Sequence, residues 1–508
     1  MSRKTRIVLA LLVIVAVFGW RAWQQRQPAP PQATPSTRIA AAPVRHYGAI
    51  AFKPCSLPGF GAAGAIEAQC ARFDVPENPA KPGGRKIALN IAWLPARQEM
   101  DAAPDPIFFL AGGPGQAAVE SFPIVAPAFE EARKQRHVIL VDQRGTGGSN
   151  PLACRWDEDV GDQDMALAVR ETEACRDRLA KHADLARYTT TDAVRDLDAV
   201  RKALGVARVN LVGVSYGTRV AQQYAMRHPQ ATRSIVLDSP VPNTLVLGNI
   251  FARNLDDALA LQFGRCTQDP TCRGKLGDPR RELDRLLATL RSEAPLVRYR
   301  DPTTGEYRSK RLQPMALAGL VRMYAYQPTA AALLPVLIHE ANAGRYEGLA
   351  ALVEMMLGEL EDMMAMGMQL SVVCSEDGGR IAPNAQDENT VLGHMLTDFL
   401  AAQCKVWPKA APPADFHRPL ATKVPALVLA GEYDPVTPPR YGREIVRSLP
   451  AGRLFVLRGQ GHSVLGAGCM PKLFAQFLDT GDAKALDGEC LESLAYAPPF
   501  TGYNGWEP

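Results

Sequence analysis

The sequence lacks several features that would assign it to a common functional class. None of its ten cysteines lies in a CxxC pair or in a spacing typical of zinc ligands, which argues against a redox motif and against a metal site. No long run of Lys or Arg is present. Of the 57 Lys and Arg residues, five lie in residues 1–26, which leaves 52 against 53 Asp and Glu in the remainder. Such a near-neutral body lacks the charge of a nucleic-acid-binding protein, and we expect no nucleic-acid partner.

Long apolar runs are also scarce, with one exception at the N-terminus. The basic segment 1–6 precedes fourteen uncharged and almost wholly apolar residues, 7–20, a pattern typical of an export signal. Fourteen residues are fewer than the roughly 20 that span a bilayer, yet no clear small-residue cleavage site follows. Residues 1–23 are therefore predicted to be either an uncleaved signal anchor in the membrane or a cleaved signal peptide. The proline-rich residues 24–47 are predicted to form an extended tether.

The cysteines favour the same interpretation. All ten follow the tether and their number is even, so disulfides formed in an oxidising compartment are a simpler explanation than ten buried thiols in the cytosol. Many pairings are possible. Sequential pairing encloses short loops and predicts Cys55 with Cys70, Cys154 with Cys175, Cys266 with Cys272, Cys374 with Cys404 and Cys469 with Cys490. We expect an exported protein, at the periplasmic face of the inner membrane or secreted.

The body of the chain alternates between short apolar runs and amphipathic segments. Apolar runs predict strands at residues 87–94, 107–110, 137–141, 209–214 and 234–237, and helical spacing predicts helices at 191–204 and 216–227. This alternation is typical of a mostly parallel sheet with helices on both faces. The sequence therefore predicts an α/β fold whose core begins near residue 48.

Residues 243–420 interrupt this alternation. Helical patterns dominate there, as at 281–290, 315–326 and 330–356, and strand patterns resume at 426–430 and 454–457. We interpret residues 48–242 and 421–508 as two parts of one core. Residues 243–420 are then a large helical cap, inserted after the sixth strand and lying over the carboxyl ends of the strands.

The clearest chemical motif is Gly213-Val-Ser215-Tyr-Gly217, which lies between a predicted strand and a predicted helix. In that context the motif predicts a sharp turn that presents the Ser215 hydroxyl as a nucleophile. Larger residues at the two glycine positions would collide with neighbouring chain. Because a serine hydroxyl is a weak nucleophile until a base removes its proton, a histidine and an acid are needed nearby.

Elimination selects the histidine. Seven of the eight lie in the tether, at the ends of predicted strands and helices, or in the cap; His462 lies in a glycine-flanked loop after the last predicted strand. Asp434 follows the strand at 426–430 and is the candidate that orients the imidazole. Asp238 is a rival acid, because it also follows a predicted strand, although it precedes the cap.

A glycine-rich turn supplies a candidate oxyanion hole. Gly112-Gly113-Pro-Gly115 follows the strand at 107–110, and main-chain N–H groups there can approach a substrate oxygen. We expect the N–H of Gly113 or Gly112 to act together with that of Tyr216. The sequence Gly59-x-Gly61-x-x-Gly64 imitates a dinucleotide-binding fingerprint, but no strand is predicted before it, and we expect no cofactor.

These motifs also carry a family resemblance. The sequence resembles the proline iminopeptidase and secreted tripeptidyl aminopeptidase group of α/β-hydrolases, including its TAP-like C-terminal region. The resemblance lies in GGPG at 112–115, DQRGTGGS at 142–149, GVSYGT at 213–218, GEYDPVTP at 431–438 and GQGHS at 459–463. It implies an α/β-hydrolase fold, a triad of Ser215, Asp434 and His462, and oxyanion donors at Gly113 and Tyr216.

An aminopeptidase must also recognise the free ammonium group of its substrate. Ser371-Val-Val-Cys374 is predicted to be a short strand that ends in Glu376 and Asp377, near the return of the cap to the core. In similar sequences this acid faces the active site, so Glu376, and less strongly Asp377, are candidate amine acceptors. Solvated loop acids are the alternative interpretation.

The sequence thus predicts an exported serine hydrolase that releases N-terminal residues or short peptides through an acyl-enzyme. A carboxylesterase is the main alternative, because the same triad attacks either kind of carbonyl. A non-catalytic hydrolase fold used for binding is a third interpretation, which Ser215 and His462 argue against. We expect a peptide substrate and a monomer.

Overall fold

The structure is a computed structural model that describes residues 43–59, 64–154 and 165–506, without the side chains of residues 359–362. The predicted signal segment and almost all of the predicted tether lie outside the described residues. The contacts divide the chain after Pro43, and the unit that begins at Val44 is described below. Within the described ranges, no helix combines the length and the apolar character that a membrane crossing requires.

The described residues of this unit form twelve strands. In chain order they are β1 (Arg45–Tyr47), β2 (Ile50–Leu57), β3 (Ile66–Pro76), β4 (Lys86–Leu94), β5 (Ile107–Leu110), β6 (Val138–Val141), β7 (Val209–Val214), β8 (Thr232–Asp238), β9 (Leu296–Arg300), β10 (Tyr307–Arg311), β11 (Ala426–Gly431) and β12 (Gly452–Leu457). Ten of them form one sheet in the order β1-β2-β3-β4-β6-β5-β7-β8-β11-β12, and β9 pairs with β10 in a separate hairpin. Pairing is antiparallel from β1 to β6 and parallel from β6 to β12.

The α-helices connect and cover these strands. They are α1 (Ala118–Val125), α2 (Met165–Leu179), α3 (Thr190–Ala203), α4 (Tyr216–Arg227), α5 (Phe251–Gln268), α6 (Pro270–Leu276), α7 (Pro279–Ser292), α8 (Pro314–Ala325), α9 (Pro328–Ala331), α10 (Leu334–Asn342), α11 (Glu347–Met363), α12 (Met366–Glu376), α13 (Met395–Val406), α14 (Pro439–Val446) and α15 (Met470–Thr480). Helix α3 begins after Thr189, whose hydroxyl accepts a hydrogen bond from the N–H of Asp192, as expected of an N-cap residue.

The central strands are buried on both faces. All residues of β5, β6 and β11 are buried, and successive side chains point to opposite faces of a strand. Phe108 accordingly packs with α3 and α4 in one cluster, whereas Phe109 packs with α1 and α15 in another. This double coverage explains the continuous apolar runs in the sequence and confirms the predicted α/β-hydrolase architecture.

The segment between β8 and β11 has an apolar core of its own. Helices α5, α7, α8, α10 and α11 contribute most of its buried residues. The predicted helix at 330–356 is three helices, α9 to α11, because the chain breaks near Leu333 and at Gly344, which has a positive φ. The hairpin β9–β10 was not predicted, because the sequence of β10, YRSKR, has almost no apolar residues.

The predicted strand at residues 371–374 is wrong, since these residues belong to helix α12. From Leu370 to Glu376 every residue of this helix is buried. A helix buried all round shows no polar face, so its sequence cannot be distinguished from that of a buried strand by periodicity.

The N-terminal edge also differs in detail from expectation. Strand β1 lies at the end of the segment predicted as tether, and strands β2 and β3 were not predicted. The helical insertion follows the eighth strand, β8, and not the sixth, because β1 to β3 precede the five strands that were predicted before it. The edge is crosslinked by the disulfide between Cys55 on β2 and Cys70 on β3.

All five predicted disulfides are present. Besides the bond at the N-terminal edge, Cys154 pairs with Cys175, Cys266 with Cys272, Cys374 with Cys404 and Cys469 with Cys490. Each closes a loop of 6 to 30 residues within one part of the chain. Five disulfides and no free cysteine among the described residues are typical of an exported protein.

Candidate active site

The turn between β7 and α4 has the geometry of a nucleophile elbow. Ser215 adopts φ 54° and ψ −124°, a strained conformation for a residue with a side chain. A Cβ atom on Gly217 would lie 2.1 Å from the carbonyl oxygen of Leu110, and one on Gly213 would lie 2.4 Å from that of Gly217. Gly217 therefore permits the close contact with β5, and Gly213 permits the close contact with the start of α4, as the sequence motif predicts.

Asp434 and His462 form a buried hydrogen-bonded pair at the carboxyl ends of β11 and β12. The Oδ2 atom of Asp434 lies 2.8 Å from Nδ1 of His462. The same carboxylate accepts hydrogen bonds from the N–H groups of Val436 and Thr437 at 2.8 and 2.7 Å, and from the Thr437 hydroxyl at 2.8 Å. These donors fix the carboxylate, which in turn orients the imidazole.

Ser215 and the loop of His462 are both hydrogen-bonded to the end of strand β8. The N–H of Ser215 donates to the carbonyl oxygen of Asp238 at 2.9 Å, and the side chain of Asp238 accepts from the N–H of Val464 at 2.9 Å. No hydrogen bond joins the Ser215 hydroxyl to the imidazole within the described ranges. Catalytic contacts of this kind often tighten only when substrate binds.

The electrostatics of the pair favour an imidazolium. Burial raises the pKa of Asp434, but the charge and hydrogen bond of His462 and the N–H donors outweigh burial and hold the pKa below its usual range. Burial lowers the pKa of His462, but the charge and hydrogen bond of Asp434, with a contribution from Asp238, raise it above its usual value. The site therefore stabilises a proton on the imidazole.

The predicted oxyanion loop lies beside the nucleophile. A Cβ atom on Gly112 would lie 3.2 Å from Cβ of Ser215, and Gly113 has φ 105°. In the part of the chain that the structure describes, the N–H groups of Gly113 and Tyr216 donate no hydrogen bond. Both groups are thus available to a substrate oxygen.

The cap contacts both halves of this site. The N–H of His462 donates to the carbonyl oxygen of Tyr326 at 2.9 Å, and the Tyr326 ring lies 5.0 Å from the imidazole. The N–H of Ala365 donates to the carbonyl oxygen of Gly115 at 3.0 Å. The segments that follow α8 and α11 therefore cover the histidine loop and the oxyanion loop.

The two candidate amine acceptors differ in their surroundings. Asp377 accepts hydrogen bonds from Arg219 at 2.8 Å and from the N–H of Leu247 at 3.1 Å. Glu376 accepts one from the N–H of Thr190 at 2.7 Å through Oε1, but its buried Oε2 has no hydrogen-bond partner. A buried polar atom without a partner is rare in native proteins, so this oxygen is a candidate ligand-binding atom.

Glu376 is also linked to the catalytic helix. The hydroxyls of Thr190 and Tyr216 are 2.6 Å apart, and Tyr216 directly follows Ser215. Burial, opposed by the charge of Arg219 and the bond from Thr190, raises the pKa of Glu376 to about 7. Glu376 lines a cleft with Thr189, Asp192 and Ser375; Ser215 is not among the lining residues.

Several residues of the site were not identified from the sequence. Tyr326 and Thr190 contact the triad or the cap acid only through the tertiary fold, whereas Thr437 contacts Asp434 three residues before it. For Thr437 a signal exists, because a hydroxyl three residues after an acid often bonds back to it. Among the described residues, no group of three or more His, Cys, Asp or Glu is arranged to hold a metal ion.

Two family models and several known proteins match this chain. Residues 105–273 match the family model described as alpha/beta hydrolase fold, and residues 390–490 match the model described as TAP-like protein. The chain is 24% identical to serine protease Hip1 of Mycobacterium tuberculosis over 482 residues, which cover 83% of this chain and 87% of that protein. It is 26% identical to a tripeptidyl aminopeptidase of Streptomyces coelicolor, with 85% and 84% covered.

A solved structure with a similar chain path is the proline iminopeptidase of Mycobacterium smegmatis. It has 20% identity and a TM-score of 0.41, and the match covers 82% of this chain and 100% of that one. The assignment of the chain to a family is based on the two family models. The first match includes the nucleophile elbow, and the second includes Asp434 and His462. The chain is a hydrolase of the α/β-hydrolase fold family with a TAP-like C-terminal region.

Proposed function

We propose that this chain is a serine exopeptidase that releases residues or short peptides from the N-terminus of its substrate through an acyl-enzyme. The relatives named serine protease and tripeptidyl aminopeptidase support a peptidase. The observation that carries the proposal is the buried Asp434–His462 pair, which lies at the same sheet edge as Ser215. A peptidase needs such a base to activate a serine hydroxyl.

Each residue of the triad has one role. His462 removes the proton of the Ser215 hydroxyl as its oxygen attacks the substrate carbonyl, and then gives this proton to the leaving amine. Water, deprotonated by the same imidazole, hydrolyses the acyl-enzyme. Asp434 remains ionised, since its pKa is held low, and keeps Nδ1 of His462 protonated so that Nε2 acts as the base.

The oxyanion forms between two main-chain donors. The N–H groups of Gly113 and Tyr216 bind the carbonyl oxygen when it becomes negatively charged, and loss of one such donor costs about 3 to 4 kcal/mol in comparable enzymes. Because these are main-chain groups, their placement depends on the conformation of the glycine-rich turn at residues 112–115 and on the elbow.

Specificity for a free N-terminus is assigned to Glu376. Its Oε2 is buried without a hydrogen-bond partner, with Arg219 4.0 Å away, and its carboxyl is poised to ionise near neutral pH. An ammonium group would supply both the missing donor and the compensating charge. Both oxygens of Asp377 are already engaged by Arg219, Leu247 and Arg380, which favours Glu376 over its neighbour.

The enzyme is proposed to act outside the cytoplasm. Five disulfides support export. Residues 1–23 would either anchor the chain at the periplasmic face of the inner membrane or be removed on secretion. We propose that the enzyme acts as a monomer.

The direct test compares substrate classes on one preparation. Purified protein is offered fluorogenic aminoacyl, tripeptidyl, N-acetylated tripeptidyl and short-chain ester substrates, with Ser215→Ala as the control for background hydrolysis. We expect turnover of free-amine peptides that falls by at least about 1,000-fold in Ser215→Ala.

Two results would contradict the proposal. Rapid ester turnover without peptide turnover would identify a carboxylesterase. Peptide turnover that is indifferent to N-acetylation would identify a serine peptidase without specificity for the free N-terminus, and would remove the role given to Glu376.

A further inference from the structure

Asp238, the acid that the triad does not use, makes an unusual set of contacts with the histidine loop. Its carboxylate accepts hydrogen bonds from the N–H of Val464 at 2.9 and 3.0 Å, from the N–H of Leu465 at 3.0 Å and from the hydroxyl of Ser463 at 3.2 Å. These are the three residues that directly follow His462. The side chain of Asp238 is fully buried, so water does not compete for these bonds.

The main chain of the same residue holds the nucleophile. The carbonyl oxygen of Asp238 accepts the N–H of Ser215 at 2.9 Å. The next residue, Ser239, accepts the N–H of Ser463 on its hydroxyl at 2.8 Å. One strand end therefore binds the nucleophile elbow through its main chain and the histidine loop through two side chains.

Backbone strain is concentrated at the same place. Only four residues other than glycine have a positive φ within the described ranges, and three of them are Ser215, Ser239 and Ser463. Their φ values are 54°, 57° and 66°. Such conformations cost of order 1 to 3 kcal/mol each and persist where surrounding contacts determine them. The hydrogen bonds to Asp238 and Ser239 are those contacts.

We propose that Asp238 is a positioning residue, which fixes the loop of His462 relative to Ser215 and, in its ionised form, adds a second negative charge beside the imidazole. It does not replace Asp434, since the hydrogen bond from Nδ1 goes to Asp434. The inference rests on the proposed function in one respect, that His462 is the base for Ser215.

Burial raises the pKa of Asp238 above its usual value, although the N–H groups of Val464 and Leu465 and the charge of His462 oppose this rise. When it is ionised, its carboxylate changes the pKa of the imidazole in one direction. The groups that face the imidazole are Asp434 after β11, Asp238 at the end of β8, and Arg322 and Tyr326 from α8 and the residue after it. Both acids raise the pKa of His462 and Arg322 lowers it. Removal of the charge at position 238 should therefore lower the pKa of the imidazole and move the acidic limb of the activity profile to lower pH.

Asp238→Asn tests both parts of the proposal. It retains the shape of the side chain but removes the charge and replaces one acceptor with a donor. Asp301→Asn is the matched control, because Asp301 also accepts hydrogen bonds from two consecutive main-chain N–H groups, those of Thr303 and Thr304, in the cap hairpin.

The imidazole pKa is measured by NMR on histidine-labelled protein, with His462→Gln for assignment. Reactivity of Ser215 is measured as the rate of inactivation by a fluorophosphonate.

We expect Asp238→Asn to lower the imidazole pKa and to reduce the maximal inactivation rate about tenfold, as loss of a buried charged hydrogen bond does. Asp301→Asn should change neither. An unchanged imidazole pKa in Asp238→Asn would overturn the proposal, as would a rate equal to that of the wild type. A wild-type enzyme whose Ser215 does not react would refute the proposed function, while the NMR titration would still decide the role of Asp238.

Ser239→Ala provides a second variant in case Asp238→Asn does not fold. It removes the acceptor for the Ser463 N–H and leaves both acids in place. We expect a reduction of the inactivation rate of about three- to tenfold, with the imidazole pKa unchanged. A wild-type rate in this variant would show that the hydrogen bond from Ser463 to Ser239 does not help to position the histidine loop, and would count against the role given to this strand end.

Discussion

Acidic side chains are buried at the carboxyl edge of the sheet and at the end of α12 in the cap. The two places differ in how many hydrogen bonds the carboxylates accept. At the sheet edge, both oxygens of Asp434 and both oxygens of Asp238 accept hydrogen bonds. At the end of α12, Glu376 leaves Oε2 without a partner, and the nearest cation, Arg219, is 4.0 Å away. Asp434 in the first arrangement holds a fixed negative charge, whereas Asp238 is fully bonded but has a pKa raised by burial. The arrangement at Glu376 leaves a position for a donor that a ligand brings.

The ionisation of these acids follows from the same difference. Donors and the imidazole outweigh burial at Asp434 and keep its pKa low. At Glu376 burial dominates and the pKa rises to about 7. A substitution at the sheet edge should therefore affect the chemical step, and one at Glu376 should affect recognition of the amine. Substitutions at the two places and a pH profile can separate these effects.

Asp434→Asn should have the largest effect. An amide at this position donates to Nδ1 of His462 and favours the tautomer in which Nε2 carries the proton and cannot act as a base. We expect kcat to fall about 10,000-fold with little change in KM, as in comparable triads. Steady-state kinetics on the best free-amine peptide would measure both constants.

Asp415→Asn is the control for this variant, since Asp415 forms a partly exposed pair with Arg227 on the outer side of α4. It should retain wild-type kinetics. If Asp434→Asn kept more than about a tenth of the activity, another acid would orient the imidazole, and the sheet edge would not hold the fixed charge that the comparison assigns to it.

Glu376→Gln should act on binding rather than on chemistry. The amide has the size of the carboxyl but no charge, so an ammonium group loses a charge-assisted hydrogen bond. We expect KM for free-amine peptides to rise about 10- to 100-fold, kcat to change little, and KM for N-acetylated peptides to stay the same. Glu354→Gln is the control, because Glu354 is a cap acid that pairs with Lys310 near the surface.

The pH dependence of KM gives an independent measure of the same group. Because the pKa of Glu376 is raised to about 7, its carboxyl is neutral below this pH and charged above it. KM for free-amine peptides should rise as pH falls through 7 in the wild type and should be flat over that range in Glu376→Gln. A KM profile that is identical in both proteins would assign the titration to a different group.

The sequence predicted these two regions with unequal success. Strands β5 and β7 have the predicted bounds, because continuous apolar runs between turn residues have few other interpretations. The elbow followed from two glycines, and the pairing of the cysteines followed from short loops. These signals are local, so the residues that carry them lie close together in the chain.

The structure of the cap and the contacts around the triad could not be predicted in the same way, because they join residues that are far apart in the sequence. Glu376 was identified as a candidate, but α12 was predicted as a strand because a helix buried all round has no polar face. Thr190 and Tyr326 contact the site from α3 and from the end of α8, and no sequence pattern relates them to Ser215. Asp238 was considered as a rival for the triad, and its contacts with residues 463–465 depend on the adjacency of β8 and β11.

Thr437→Val should have the smallest effect at the sheet edge. Valine has the shape of threonine, so the change removes only the hydroxyl that donates to Oδ2 of Asp434 at 2.8 Å. The two main-chain donors and His462 continue to bind the carboxylate, which therefore keeps its charge and most of its orientation. We expect kcat to fall about three- to tenfold with KM unchanged.

The control is Thr390→Val, which removes a comparable hydroxyl contact in the cap, the hydrogen bond to the carbonyl oxygen of Asp387. A loss near that of Asp434→Asn would show that the hydroxyl, which lies 3.4 Å from Nδ1 of His462, takes part in holding the imidazole itself.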